Sequence, residues 1–582
     1  MTHVPEPHAG EVQTAAKTSA SGEVGAARRG GLRALLDVIL CLYIAVILFR
    51  TFEVEGYIIS TGSMAPSLLG FHKRVACPSC GYPFAFGISP EAGIFAGDTT
   101  EGQWRRDGGR PGDVRCPNCG QDLIDAREIP PNYGDQLLVQ KNVYEFRPPR
   151  RWEVVVLKNP ARPNPPFVKR IVGLPHESVQ IIDGDIYANG QICRKSLDQQ
   201  RAVRISVFDN DHLPNDPPQG RGDWLIEPSS HPWKIEGHGF AIQSGGNVKG
   251  HSAADRGQSA ADRGQSDGDR EIAWLAFHRW TRRGGHYKTE VPLSALPSDV
   301  HLARGAFAQV SYDSGRGRLI SAGALAGTER DRMLATNGDA KVRAAINELY
   351  DRSHDGPITD DYGYNRAGSL TPLGVRDIML ACDVAFDSDA GEVLFEICDG
   401  QETYRLSIDR SRQEAQLTAG DHSRPLRTAA CPQCAGGTFK LELSIFDRQV
   451  AAAVNGVSLF PAWECPTARA EPPRRPLRIG ARGAAARIAG LKVYRDIYYT
   501  RGQGRHGVDR PIRLSADEFF VLGDNSPISN DGRSWAEGAV QISQLIGKPL
   551  VVHLPSRPGR FTLGGYTRYI RIPDFSRMRY IR

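Results

Sequence analysis

A run of apolar residues from Leu32 to Phe52, LRALLDVILCLYIAVILFRTF, constrains this chain more than any other feature. At helical rise it would reach roughly 30 Å, about one hydrocarbon core, so a transmembrane anchor over 32–52 is expected. Asp37 is the one acidic residue inside it, close enough to the start to reach the interface. A buried core helix is the bland alternative. A cleaved leader fits less well, because no small-x-small site comes after the run. Arg28, Arg29 and Arg33 lie before or at the start of the run, and Glu53 and Glu55 come just after it, next to Arg50 near its end. The positive-inside rule then puts the N-terminus in the cytoplasm and everything after Phe52 outside, at the cytoplasmic membrane in a single pass. Residues 1–31, rich in small and charged residues without apolar periodicity, read as a disordered tail.

The segment just beyond the run has an unusual hydroxyl cluster. YIISTGSMAPSLLG, residues 57–70, sets the hydroxyls of Thr61 and Ser63 within a few residues of the expected bilayer surface. Further on, PPFVKRIVGLP has strand character, and alternation places Phe167, Lys169 and Ile171 on one face. A lysine between apolar neighbours is rarely buried without a reason, and burial lowers its pKa. A neutral amine is a general base, and serine is a weak nucleophile that needs one. The bland reading of Lys169 is an edge-strand side chain that snorkels to water. A third stretch, FFVLGDNSPISNDGRSWAEG at 519–538, is a short apolar strand and then a loop dense in Asp, Asn, Ser and Gly.

These pieces together resemble the sequence boxes of a type I signal peptidase, a membrane-bound Ser-Lys protease. STGSMAPSL resembles its nucleophile box, YGDQLLVQK at 133–141 the strand box, FVKRIVGLP the lysine box and GDNSPISNDGRSW the last box. All four stand in the family's order behind an anchor-like run. The resemblance covers about 30–75, 130–195 and 510–560. It implies Ser63 as nucleophile, Lys169 as general base, and Thr61 as a side chain that joins the Ser63 N–H in holding the oxyanion. It implies Ser529 as the hydroxyl that orients the lysine, and Asp531 and Arg533 as a supporting ion pair. Gly523, Asp524 and Asn525 match the start of the last box. Two departures lie beside these residues: His176 and Glu177 stand where the family shows Gly-Asp, and Gly532 where Ser is common.

The rest of the chain interrupts this pattern. Cys77, Cys80, Cys116 and Cys119 form C-x2-C…C-x2-C on Pro-containing knuckles within a segment 76–129. The spacing suits a zinc ribbon, and outside a membrane two disulfides are the competing fate. No metal is expected in the chemistry. Residues 196–370 read as an insertion containing a polar tandem repeat, SAADRGQSAADRGQ, in a loop at 249–270. Its strand-like segments EIAWLAFHRW and RGAFAQVSYD are expected to extend the catalytic sheet. Residues 371–497 alternate as short strands, with hairpin signals at Asp399-Gly400 and Asn455-Gly456. They resemble a laminin-G or concanavalin-like jelly roll, expected to fold alone and to be dispensable for chemistry. Such modules take glycans or proteins, or act as spacers. Cys431 and Cys434 are left unassigned.

The expected fold is therefore mainly β: an N-terminal transmembrane helix, a catalytic domain of 53–75, 130–195 and 506–560, an inserted antiparallel sandwich, and a tail at 561–582. A chain of 582 residues has room for several such units. Its net charge of +6 is mild and no basic block dominates, so nucleic acid is not an expected partner. The expected partners are preprotein signal peptides, membrane lipid, the export translocon and a glycan or protein ligand of the sandwich. The alternatives are a self-cleaving repressor, against which the anchor and the lack of a DNA-binding module argue, and a membrane-tethered binding scaffold with a degenerate protease core.

Overall fold

The apolar alternation around Lys169 becomes the strand Phe167–Gly173, an inner member of an eight-stranded antiparallel sheet. The computed structural model describes residues 23–52, 54–88, 109–160, 165–215, 223–227, 233–243, 272–280, 288–296, 302, 309–368, 371–420, 424–466, 471–502, 504–563 and 566–581. Val154–Leu157 pairs with the lysine strand on one side and Glu518–Leu522 on the other. The sheet runs on through Leu545–Val552 and Gln136–Gln140 to Val54–Ile58. All four residues of Val154–Leu157 are buried, because this strand is covered on both faces. Val154 and Val156 pack with Leu137, Met64 and Leu68, while Val155 and Leu157 pack with Ile171, Phe519 and Trp535. The first cluster anchors the Ser63 loop to the sheet, since Met64 is its immediate neighbour.

The segment before this sheet is a helix, Glu23–Phe52. It starts within the expected tail of 1–31, where Ala, Glu and Arg favour helix. Among the described residues, however, no helix is long and apolar enough to cross a membrane, so the expected anchor at 32–52 is unsupported by the fold. Leu35, Val38, Leu42 and Tyr43 are all more than half exposed. Asp37 approaches Arg33 one turn away at 4.0 Å.

The sandwich exists, but its strands do not all come from 371–497. One sheet joins Ile378–Phe386, Thr438–Phe446, Gln449–Val454 and Ala486–Arg495, and Ile205–Asp209 and Gly239–Ile242 both pair with the last of these. The other joins Glu392–Cys398, Thr403–Asp409, Glu414–Ala419 and Leu477–Arg482, completed by Ala273–Phe277 and Trp224–Glu227. Phe208 and Phe277 from the earlier segment sit in one core with Phe395, Phe439 and Leu441. The strand expected from EIAWLAFHRW thus forms, but it completes the sandwich rather than the catalytic sheet. The strand from RGAFAQVSYD, Gln309–Asp313, joins a separate three-stranded sheet under the helices Gly327–Ala335 and Ala340–His354. The repeat at 249–270 lies outside the described residues. Asn455 and Gly456 have φ of 49° and 83°, the left-handed pair that a two-residue hairpin requires. Cys431 and Cys434 are disulfide-bonded. The boundary expected at 560/561 falls inside a hairpin, Ser556–Leu563 with Tyr566–Pro573, and Arg579–Tyr580 of the expected tail pairs with Leu545–Val552 of the sheet that holds the lysine strand.

A buried clasp ties the sandwich to the part of the chain that carries the lysine strand. Lys195 Nζ donates to Asp447 at 2.6 Å and to Asp496 at 2.8 Å, and sits 4.3 Å from the centre of the Trp152 ring. Deleting 371–497 would strip the strands of 205–277 of partners and leave Lys195 buried without its carboxylates, a loss of about 3–5 kcal/mol for the ion pair alone. The deletion is predicted to give aggregated protein by size-exclusion chromatography. A monodisperse product that still cleaves a soluble peptide contradicts the shared-sheet fold.

Candidate active site

Three chain segments far apart in sequence meet at one amine. Lys169 is 2% exposed, and its Nζ donates to Ser63 Oγ at 2.8 Å and to Ser529 Oγ at 3.3 Å. Burial lowers its pKa to about 8; Asp531 works against that shift, while Arg533 adds to it. Ser63 lies on a tight turn in which Ala65 N–H donates to Gly62 O at 3.1 Å and Leu68 N–H to Met64 O at 2.9 Å. Thr61 is exposed on the same cleft, which has a volume of about 490 Å³ and is also lined by Ile88, Phe167 and Ile528.

The last box supports this pair from behind. Arg533 grips Asp531 with Nε at 2.9 Å and Nη2 at 2.8 Å, and Gly523 N–H donates to the same carboxylate at 3.0 Å. Burial acts to raise the Asp531 carboxyl, but Arg533, Lys169 and the Gly523 amide outweigh it and hold the group below its ordinary value. Asn525 holds the Ser63 turn directly: its N–H donates to Ser63 O at 2.9 Å and its Nδ2 to Gly62 O at 3.1 Å. Gly523 has no room for a side chain, since a Cβ would fall 2.2 Å from Ser529 Oγ and 2.4 Å from Ser63 O. Asp524 turns the other way and makes a buried bidentate pair with Arg170 at 2.8 and 2.6 Å.

The two departures are accommodated. His176 has φ of 66°, so it holds a left-handed turn that glycine adopts more easily, and Glu177 accepts from Leu174 N–H at 2.8 Å to close that turn. At Gly532 a Cβ would approach Gly538 O to 2.6 Å, so serine does not fit here.

Sequence reasoning missed Arg170, whose alternation away from Lys169 on the same strand was an available signal. It also missed Tyr362, Tyr364 and Asn365, which come from the segment between the helix Ala340–His354 and the sandwich strand Ile378–Phe386. Tyr362 OH donates to Asp524 O at 2.7 Å, and Asn365 exchanges amide hydrogen bonds with Asn525 at 2.8 Å. The Tyr364 ring occupies the space beside two glycines: a Cβ on Gly62 or Gly87 would come within 2.1 or 2.2 Å of it. No spacing rule links these residues to Ser63.

The four cysteines also converge. All four Sγ atoms lie within 4.8 Å of one another, with Cys77–Cys119 at 3.6 Å and Cys80–Cys116 at 3.7 Å. Those separations match the edges of a tetrahedron with Zn–S of about 2.3 Å, and none of the four is disulfide-bonded in this structure. The thiols therefore fit a zinc ion and could hold one. They sit in a small core of their own with Phe71, Val75, Phe86 and Ile124, on a sheet formed by His72–Ala76 and Pro83–Gly87 with Pro131–Asn132.

Comparison with known proteins bears on one part of this site. Residues 130–225, which include Lys169, match the family described as "Signal peptidase, peptidase S26". A signal peptidase I of Leptolyngbya laminosa is 42% identical over 84 residues, covering 12% of this chain and 41% of that protein. A probable signal peptidase I-2 of Synechocystis sp. is 35% identical over 83 residues, covering 12% and 38%. The chain thus spans about two-fifths of the length of these relatives. Among solved structures, a carbohydrate-binding module CBM66 from Bacillus subtilis aligns with 20% of this chain and 73% of its own at 9% identity and a TM-score of 0.17. A tetrameric galectin from Cinachyrella sp. aligns with 21% and 93% at 18% identity and the same score. At these scores the likeness assigns no ligand.

The depressed lysine has a measurable cost. A fall from 10.5 to about 8 corresponds to roughly 3 kcal/mol. Below pH 8 Lys169 is protonated in both folded and unfolded chains and the full penalty applies. Between 8 and 10.5 the unfolded chain binds a proton that the folded one has released, so stability rises with pH. Lys169→Met is predicted to be more stable than the wild type at pH 7, by up to about 3 kcal/mol in urea unfolding, with the gain shrinking towards pH 10.5. A gain that does not depend on pH contradicts a charged, desolvated amine.

Proposed function

We propose that this chain is a serine endopeptidase of the signal-peptidase type, working through a Ser63–Lys169 dyad at a membrane surface. The contact between Lys169 Nζ and Ser63 Oγ at 2.8 Å, inside a buried pocket that lowers the amine's pKa, carries the reading. With the amine neutral, the hydrogen bond reverses and Ser63 donates to Lys169. Ser63 Oγ attacks the scissile carbonyl carbon while its proton passes to Lys169 Nζ. The oxyanion is received by the Ser63 N–H and the Thr61 hydroxyl, donors set in place before charge develops. Collapse returns the proton from Lys169 to the leaving amine and leaves an acyl ester on Ser63. A water then gives its proton to Lys169 and attacks the ester; collapse frees the acyl product as a carboxylic acid while Lys169 returns the proton to the departing Ser63 Oγ. Ser529 fixes the amine between these steps, and the Asp531–Arg533 pair fixes the loop that carries Ser529.

The substrate proposed is the signal peptide of an exported preprotein, an extended segment with small side chains at the cut. The glycines at 62 and 87, closed over by Tyr364, support a narrow cleft. A location at the outer face of the cytoplasmic membrane, close to lipid and the export machinery, is supported by the exposed apolar residues of the Glu23–Phe52 helix, which water penalises. The four-cysteine site is proposed to hold a structural zinc that stabilises its sheet and takes no part in the chemistry.

Ser63→Ala and Lys169→Ala are each predicted to lower preprotein cleavage at least about a thousandfold while leaving the protein folded. For the wild type, kcat/KM should rise with pH and level off above about 8, since only the neutral amine accepts the proton. Near-normal cleavage by Lys169→Ala contradicts the dyad. Elemental analysis is predicted to find about one zinc per chain, and Cys116→Ser to lose both the metal and thermal stability. Finding two disulfides and no metal by mass spectrometry replaces zinc with the oxidised form.

A further inference from the structure

Behind the nucleophile turn lies a second cavity, of about 470 Å³, that the chemistry does not use. Its size falls in the range of small-molecule sites, roughly 300–1,000 Å³. Leu69, Val75, Tyr82, Phe84 and Ile205 give it apolar and aromatic walls. Arg74 and Arg577 also line it. The Arg74 guanidinium is only partly used: Nη1 donates to Asp574 at 2.5 Å, while Nε and Nη2 are buried without a hydrogen-bond partner among the described residues. Arg577 reaches Asp135 only at 3.9 Å, too far for a hydrogen bond, and that carboxylate already accepts from Leu69 N–H at 3.0 Å. Asp361, also on the wall, lies 3.7 Å from Arg115. His72 adds no charge at neutral pH, because burial lowers its pKa to about 4.

Two buried guanidinium nitrogens without acceptors are a cost that an anion would remove. The Nε/Nη2 edge is a planar fork, and its shape matches a carboxylate better than a hydroxyl or an amide. Arg577 reports the same imbalance: burial first, then the neighbouring Arg74 and Arg579, push its pKa down despite Asp135. We propose that this cavity binds a small amphipathic carboxylate, its apolar body between Tyr82, Phe84 and Leu69 and its head on Arg74 and Arg577. The cavity shares Tyr364 with the catalytic cleft and Leu69 with the nucleophile loop. A ligand there would press against the elements that hold Ser63.

The test is calorimetric titration of the full chain with 4-phenylbutyrate, with 4-phenyl-1-butanol and butyrate as the uncharged and body-less controls. Saturable binding of one 4-phenylbutyrate per chain is expected, with each control weaker by about tenfold or more. Arg74→Gln and Phe84→Ala should each weaken binding by a similar factor. Asp574→Asn, which frees Arg74 from its competing carboxylate, should tighten it several-fold. That variant acts in the opposite direction, so a folding defect in Arg74→Gln cannot mimic the full pattern. Absence of saturable binding, equal binding of the alcohol, or weaker binding by Asp574→Asn overturns the proposal. The readout is binding rather than cleavage, so it stands apart from the peptidase reading.

Discussion

The candidate active site depends on a lysine amine held away from water. Lys169 projects from an inner strand, is 2% exposed, and meets two hydroxyls within hydrogen-bond reach. Desolvation penalises its charged form, and that penalty is what the proposed role as a base near neutral pH rests on. Other features keep the amine dry or correctly aimed. Val155, Leu157 and Phe519 fill the sheet around it, Met64 pins the Ser63 turn, and Gly523 leaves room for Ser529 to approach. The nearby Asp531 would raise the lysine pKa if left unbalanced, and Arg533 offsets it.

A site assembled from residues 63, 169 and 529 needs long-range supports, and the inserted modules supply them. The segment 362–367 runs between three parts of the molecule. Tyr362 bonds the Asp524 carbonyl, Tyr364 bonds the Phe71 carbonyl, and Ala367 N–H donates to Asp113 O beside the cysteine knuckles at 2.7 Å. Asn365 continues this support to Asn525 and so to the Ser63 turn. The sandwich is bound in turn by the Lys195 clasp, whose carboxylates come from its hairpin turn and from the residue just past its last strand. The insertion is therefore bonded into the walls of the candidate cleft rather than hung on it as a detachable domain.

The parts of this architecture that were legible in sequence are those encoded locally. Phe167–Gly173 shows its alternation in seven residues, the cysteine knuckles show their spacing, and Asn455-Gly456 shows its turn. The grouping of Ser63, Lys169 and Ser529 was accessible only through resemblance, because no local pattern says that such distant segments meet. Strand partners were illegible for the same reason. Ala273–Phe277 has the pattern of a strand, but whether it pairs with Leu477–Arg482 or with the catalytic sheet is decided by packing of Phe277 against Phe208 and Trp224. Lys195 reads as an ordinary surface lysine until Asp447 and Asp496 are brought to it. His176 stands where the family shows glycine, and its backbone accepts the left-handed conformation with φ of 66°.

In the proposed mechanism Ser63 becomes a covalent nucleophile because Lys169 takes its proton. The most direct measurement is to mix the protein with a peptidyl ester, quench in acid within the first turnover, and locate the acyl group by peptide mapping. An acyl ester on Ser63 is expected, formed faster as pH rises towards about 8 and absent in Lys169→Met. An acyl group on another residue, or acylation of Ser63 at an unchanged rate in Lys169→Met, would contradict it.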